Sequence, residues 1–156
     1  MNTNKRFQGT GVAVVTPFRN NEVDYESLKA VLNHIIHGGI EFIVCLGTTG
    51  EATALSHKES IDILNFTIEV NNKRLPIVYG AYGSNNTAEL VHKGKTPDLN
   101  HVDAIMASSP AYVKPTQEGI YQHYKHLSEL SALPIMLYNV PGRTGSNMSP
   151  ETTCRL

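Results

Sequence analysis

Apolar residues along the chain gather into five short, nearly continuous runs: "VAVVTPF" from Val12, "IVCLG" from Ile43, "IVYGAYG" from Ile77, "AIMASSPAY" from Ala104 and "IMLYNVPGRTG" from Ile135. Their starts recur about every 30 residues, the length of a strand plus its crossover helix. A run without alternation suits a parallel strand covered on both faces, and each gives way to Gly, Ser, Thr or Pro.

Between the runs the apolar spacing becomes helical. After Asp24, residues Leu28, Val31, Leu32, Ile35 and Ile36 make one face, and Gly38 with Gly39 ends it. Ser56 and Glu59 stand at capping-box spacing before Ile61, Leu64 and Ile68, and a Thr116 cap precedes Ile120, Tyr124 and Leu127. The third helix opens plausibly in "NNTAELVHK", but Gly94 and Pro97 fall inside it, and an interior proline costs about 3 kcal/mol, so a short or broken helix is expected. Near the C-terminus, Ser149 as cap, Pro150 at the first helical position and Glu151 in the first turn announce a further helix. The pattern reads as four βα units, a fifth strand and the start of a fifth helix.

Repeated βα units build either an open doubly wound sheet or a closed eight-stranded barrel, and barrels run to about 250 residues. At 156 residues, length and spacing alone favour the open sheet. The composition is that of a soluble globular protein, 40% apolar and 17% charged, and a net charge of -1 gives no electrostatic reason to expect nucleic acid or an anionic membrane as partner. No apolar stretch is long enough to span a bilayer, and "MNTNKRFQGTG" lacks the apolar centre of a signal peptide. Two cysteines, Cys45 and Cys154, make no disulfide framework, so reduced thiols and a cytoplasmic setting are expected. Neither a metal site nor a separate cofactor is expected.

In both architectures ligands sit beyond the carboxyl ends of the strands. Those segments are Thr16 and Pro17, Gly47 to Glu51, Tyr82 to Asn85, Ser108 to Tyr112 and Tyr138 to Gly145, and hydroxyls dominate them. The Gly47-Thr48-Thr49-Gly50 turn can offer backbone N–H groups and two hydroxyls to a small anion beside a helix start. Taken alone, it fits an unliganded capped turn equally well. Tyr112 and Tyr138 can pass protons and Arg143 can grip a carboxylate, although tyrosines closing apolar runs also serve as core residues and an Arg in a Pro-Gly turn as a solvated charge.

Three blocks, "GTTGEATALSHKE", "PTQEGIYQHY" and "LYNVPGRTG", resemble the signatures of the dihydrodipicolinate synthase (4-hydroxy-tetrahydrodipicolinate synthase) family, within the pyruvate-dependent class I aldolases that include N-acetylneuraminate lyase. The resemblance runs from about Phe7 to Leu156 and covers the first half of the family's barrel. It implies an α/β fold of the TIM (β/α)8 barrel family, here an incomplete barrel of four βα units plus a fifth strand, with residues 1–156 forming the N-terminal part of one barrel domain. It also implies that a strand lysine forms a Schiff base with pyruvate, whose enamine attacks aspartate semialdehyde on the way to lysine and diaminopimelate. By motif, Tyr138 would donate and accept protons, Thr48 and Tyr112 would relay them, Thr49 with Gly47 would hold the pyruvate carboxylate, and Arg143 the semialdehyde carboxylate. The family's counterpart of Tyr112 enters a neighbouring subunit's site, implying a homo-oligomer, a tetramer in the family.

Departures from the family pattern accompany the match. The Schiff-base lysine lies about one βα unit beyond "YNVPGRTG", and none of Lys5, Lys29, Lys58, Lys73, Lys93, Lys95, Lys114 and Lys125 occupies an apolar strand run where burial could free its amine. The chain alone is therefore expected to be inactive. Ala111 stands where the family usually has a second Tyr, and Val113 where it has an Asn; His57, Asn85 and Glu89 match its lysine-feedback site. A non-catalytic half-barrel or a small carboxylate-binding α/β domain is the alternative, and unpaired sheet edges would favour association.

Overall fold

All five apolar runs form strands, each shorter than its run. The computed structural model describes residues 5–82, 85–87 and 99–156. Its elements are β1 Gly11–Ala13, β2 Phe18–Arg19, β3 Glu22–Val23, α1 Tyr25–His37, β4 Phe42–Cys45, α2 His57–Asn71 and β5 Ile77–Tyr82. These are followed by β6 Ala104–Ser108, α3 Gln117–Leu130, β7 Ile135–Tyr138, α4 Pro141–Thr144 and α5 Pro150–Arg155. The expected third helix falls largely on 88–98, and with Gly94 and Pro97 it lies outside the described residues.

Strands β1, β4, β5, β6 and β7 make a five-stranded sheet in that order. The recorded pairings are parallel, with Gly11 opposite Phe42, Ile43 opposite Ile77 and Ile105 opposite Ile135. Neighbours follow chain order with no switch point. A doubly wound sheet reverses its order at such a point, whereas a (β/α)8 barrel adds strands consecutively, so the topology is that of the barrel.

The chain divides into two compact units, Met1–Ala81 with Asn100–Asp103, and Tyr82–Leu99 with Ala104–Leu156. In the first, the Asp24 carboxylate caps α1 by accepting from the Ser27 amide (3.1 Å), and Leu28 and Leu32 are fully buried. The capping box opening α2 is complete, with Ser56 accepting from the Glu59 amide and the Glu59 carboxylate accepting from the Ser56 amide. The buried stripe of α2 lies one residue from the expected apolar one: Ser60, Ile63, Leu64, Thr67 and Asn71 are buried, while Ile61 and Ile68 are half-buried. Its polar members are satisfied locally. Thr67 accepts from Cys45 Sγ, and the Asn71 amide brackets both the N–H and the C=O of Leu75. Burial pushes the Cys45 thiol up to about 12, which makes it an inert core group rather than a nucleophile.

The antiparallel pair β2–β3 was not expected. Asn20 and Asn21 both take left-handed φ (54° and 65°), the conformation a two-residue hairpin turn needs. In the second unit, α3 is capped by Thr116 and buries Ile120, His123, Tyr124 and Leu127. The C-terminal helix α5 starts as its Ser149-Pro150 signal requires.

Candidate active site

In the first unit the chain leaves β4 through Leu46, at φ 60°, and turns over Gly47 to Gly50. The Gly50 amide donates to the Gly47 carbonyl (3.0 Å) and the Glu51 amide to the Thr48 carbonyl (3.1 Å); Glu51 itself is left-handed at φ 54°. Two non-glycine residues in that region store on the order of 1–3 kcal/mol each, which the surroundings must offset. Two glycines allow the required closeness. A Cβ on Gly80 of β5 would lie 2.8 Å from Cα and N of Gly47, and one on Gly50 would lie 3.0 Å from the Val14 carbonyl.

The turn leaves Thr48 and Thr49 exposed between buried Gly47 and Gly50. Among the described residues, neither their amides nor their hydroxyls have a hydrogen-bond partner. Four donors are thus free on two adjacent residues, the arrangement that recognises a carboxylate. Directly behind the turn stands a single 3-10 turn, Ala52–Ala54, and α2 begins at His57, after its expected Ser56 cap. Local amides and hydroxyls, not a helix dipole, must therefore supply the attraction.

The second unit carries the tyrosines and the arginine. Tyr138, half-buried, ends β7, and the following loop is tied down by Asn139, whose side chain donates to Asn147 Oδ1 (2.7 Å) and accepts from the Met148 amide (3.1 Å). The Gln117 side chain binds the far end of that loop, donating to the Asn147 carbonyl and accepting from the Ser149 amide and the Thr152 hydroxyl. Within the loop, Pro141 at the first helical position and Gly145 at φ 74° bound α4, which presents an exposed Arg143. Its guanidinium has no ion-pair partner among the described residues.

Tyr112 reaches the same loop through its backbone. It sits at φ 70° in a γ-turn closed by the Val113 amide on the Ala111 carbonyl (2.8 Å), and its own amide donates to the Thr144 carbonyl (3.0 Å), next to Arg143. The side chain is 90% exposed, so this strained turn serves presentation rather than packing. Asn85 Oδ1 accepts from the Ala111 amide (2.7 Å), bracing the other side of the turn. Beneath the rim, Tyr124 donates to the Ala107 carbonyl (2.9 Å), and burial pushes its phenol up to about 12 against a smaller opposing effect of a backbone hydrogen bond to Tyr138. Burial likewise lowers the pKa of His123, whose Nδ1 lies 2.9 Å from the Thr87 hydroxyl.

Tyr112, Tyr138 and Arg143 are therefore joined within one unit, and Gly47, Thr48 and Thr49 form a single turn in the other. Of the three residues matched by sequence to a family inhibitor site, His57 opens α2 and is exposed, Asn85 is engaged as described, and Glu89 lies outside the described residues. Thr16, Asn139 and Gln117 make hydrogen bonds to partners 8 to 35 residues away that the sequence did not show, although Asn139 and Gln117 belong to two of the quoted blocks.

Strands added in sequential parallel order, with polar and ionisable loops at their carboxyl ends, define the first part of a (β/α)8-barrel enzyme fold. The dihydrodipicolinate synthetase family matches residues 6–156, and the chain belongs to that family. It is 51% identical over 151 residues to the 4-hydroxy-tetrahydrodipicolinate synthase of Flavobacterium psychrophilum, covering 96% of this chain and 51% of that protein. The synthase of Parabacteroides distasonis is 46% identical over 150 residues, 96% of this chain and 50% of that protein. Among solved structures, the chloride-inhibited dihydrodipicolinate synthase of Acinetobacter baumannii complexed with pyruvate superposes with a TM-score of 0.90 at 45% identity, over 96% of this chain and 51% of that one. The chain spans about half the length of the curated relatives it matches.

Proposed function

We propose that this chain is the N-terminal part of the single barrel domain of a 4-hydroxy-tetrahydrodipicolinate synthase, a lyase that condenses pyruvate with aspartate semialdehyde in the cytoplasm as a homo-oligomer. The observation that carries this reading is the Thr48–Thr49 turn, whose four donors have no partner among the described residues and which lies within the stretch that matches the family. Thr49 and the turn amides, with Gly47 permitting the approach, hold the carboxylate of pyruvate. Thr48 and Tyr112 pass protons to and from Tyr138, and Arg143 holds the carboxylate of the semialdehyde with parallel hydrogen bonds. A phenol with an ordinary pKa near 10 exchanges protons at neutral pH only with such hydrogen-bonded support. His57, Asn85 and Glu89 are the corresponding inhibitor-site positions.

The amine for the Schiff base is not among the lysines described. Lys5, Lys29, Lys58 and Lys125 lie in helical segments and Lys73 and Lys114 in connections, so none stands on a strand of the sheet. These 156 residues alone accordingly form no covalent adduct and turn over no substrate. Incubation with pyruvate and borohydride, followed by intact-mass and peptide analysis, is expected to leave the chain unmodified. A reduced pyruvoyl adduct on any lysine would contradict this assignment.

A further inference from the structure

We propose that Thr16 is a positioning residue for the Gly47–Gly50 turn, its buried hydroxyl fixing the direction in which Thr48 and Thr49 present their donors. This rests on the reading of that turn as a carboxylate site. Thr16 follows β1 and is 5% exposed, a place where a strand-forming Val would bury surface without having to satisfy a hydroxyl. Its Oγ1 donates to the Gly50 carbonyl at 2.7 Å across 34 residues of sequence. Gly50 is buried, so that carbonyl would otherwise lose a partner.

The same turn is held at two more points. Gly50 lies so close to β1 that a Cβ would meet the Val14 carbonyl at 3.0 Å, and Gly47 lies so close to β5 that a Cβ on Gly80 would meet it at 2.8 Å. Left-handed Leu46 and Glu51 bound the turn on either side. Such a conformation persists only when its surroundings over-determine it. Sheet contacts fix where the turn lies, and the Thr16 hydroxyl supplies the directional bond that fixes its rotation. Thr48 and Thr49 touch the ligand; Thr16 acts through them.

The test uses the 15N-labelled 156-residue chain with Thr16→Val, Thr16→Ser and Gly80→Ala. Hydrogen exchange is read at the Gly50 and Glu51 amides, which close the turn, and at the Val14 amide, which pairs with Val44 in the sheet and reports the fold. Pyruvate affinity is read from the Thr48 and Thr49 amide shifts. In Thr16→Val, exchange at Gly50 and Glu51 is expected to rise about tenfold, the scale of one lost buried hydrogen bond, with Val14 unchanged and the pyruvate Kd raised about fivefold or more. Thr16→Ser restores both, and Gly80→Ala, which crowds Gly47 from β5, reproduces the loss with Thr16 intact. Unchanged exchange in Thr16→Val, failure of Ser to restore it, or equal acceleration at Val14 would overturn the proposal. If the wild-type amides do not respond to pyruvate, the carboxylate reading fails, and the exchange data alone decide the positioning role.

Discussion

Replacing Tyr124 by Phe removes one oxygen from beneath the tyrosine-bearing rim, and its effect depends on pH in a way the structure specifies. The phenol is 2% exposed and donates to the buried Ala107 carbonyl at 2.9 Å. Losing the donor while the carbonyl stays buried costs about 1–2 kcal/mol at neutral pH, a fall of about 2–4 °C in Tm per kcal/mol for a chain of this size. Burial raises the folded-state pKa to about 12, from 10.0 in the unfolded chain. The stability this group contributes is whole below pH 10, because neither state ionises there. As pH rises toward 12 the unfolded state loses its proton first, and stability falls by about 1.4 kcal/mol per pH unit, in total about 2–3 kcal/mol. Phe has no such dependence. Urea unfolding followed by far-UV circular dichroism at pH 8, 10 and 11 is therefore expected to show the gap between wild type and Tyr124→Phe shrinking as pH rises. A gap that stays constant from pH 8 to 11 would refute the claim that this phenol is held neutral by burial.

Two further substitutions separate presentation from packing. Tyr112→Gly relieves a left-handed φ of 70° on a side chain that buries almost nothing, so Tm should rise by an amount equivalent to about 1 kcal/mol; a fall in Tm would mean Tyr112 packs in the folded chain. His123 is held neutral by burial, its folded pKa below the unfolded 6.5, so its contribution is whole above pH 6.5 and is lost as pH drops through the folded value. His123→Gln should flatten that acid limb when urea midpoints at pH 5 and 8 are compared, and an identical pH 5 to 8 difference in both proteins would count against it.

The strands were readable because parallel strands buried on both faces leave continuous apolar runs, and the helix starts because Asp24, Ser56, Thr116 and Ser149 are side-chain caps that act within three residues. What escaped is equally physical. Strands β2 and β3 are two residues each, too short for any periodicity, and only Asn20-Asn21 signals their turn. Helix α4 is a single turn hidden behind Gly142, betrayed only by Pro141 at its start and Gly145 at its end. The choice of barrel over open sheet came from the motif blocks, against the length and spacing, which favoured the open sheet; the consecutive strand order now supports the barrel independently. The hydroxyl-bearing turn was visible as a motif and Thr16 as a residue beyond a strand end, but the bond joining them, and the partners of Gln117, were not, because hydrogen bonds across 30 or more residues leave no local trace.

Titrating pyruvate into the 15N-labelled chain and following the Thr48 and Thr49 amides tests the carboxylate reading of that turn most directly. Both amides are expected to shift along one binding curve with a single Kd, and Thr49→Val should weaken the response. Thr48 and Thr49 amides that do not move, or a Thr49→Val response equal to that of the wild type, would contradict it.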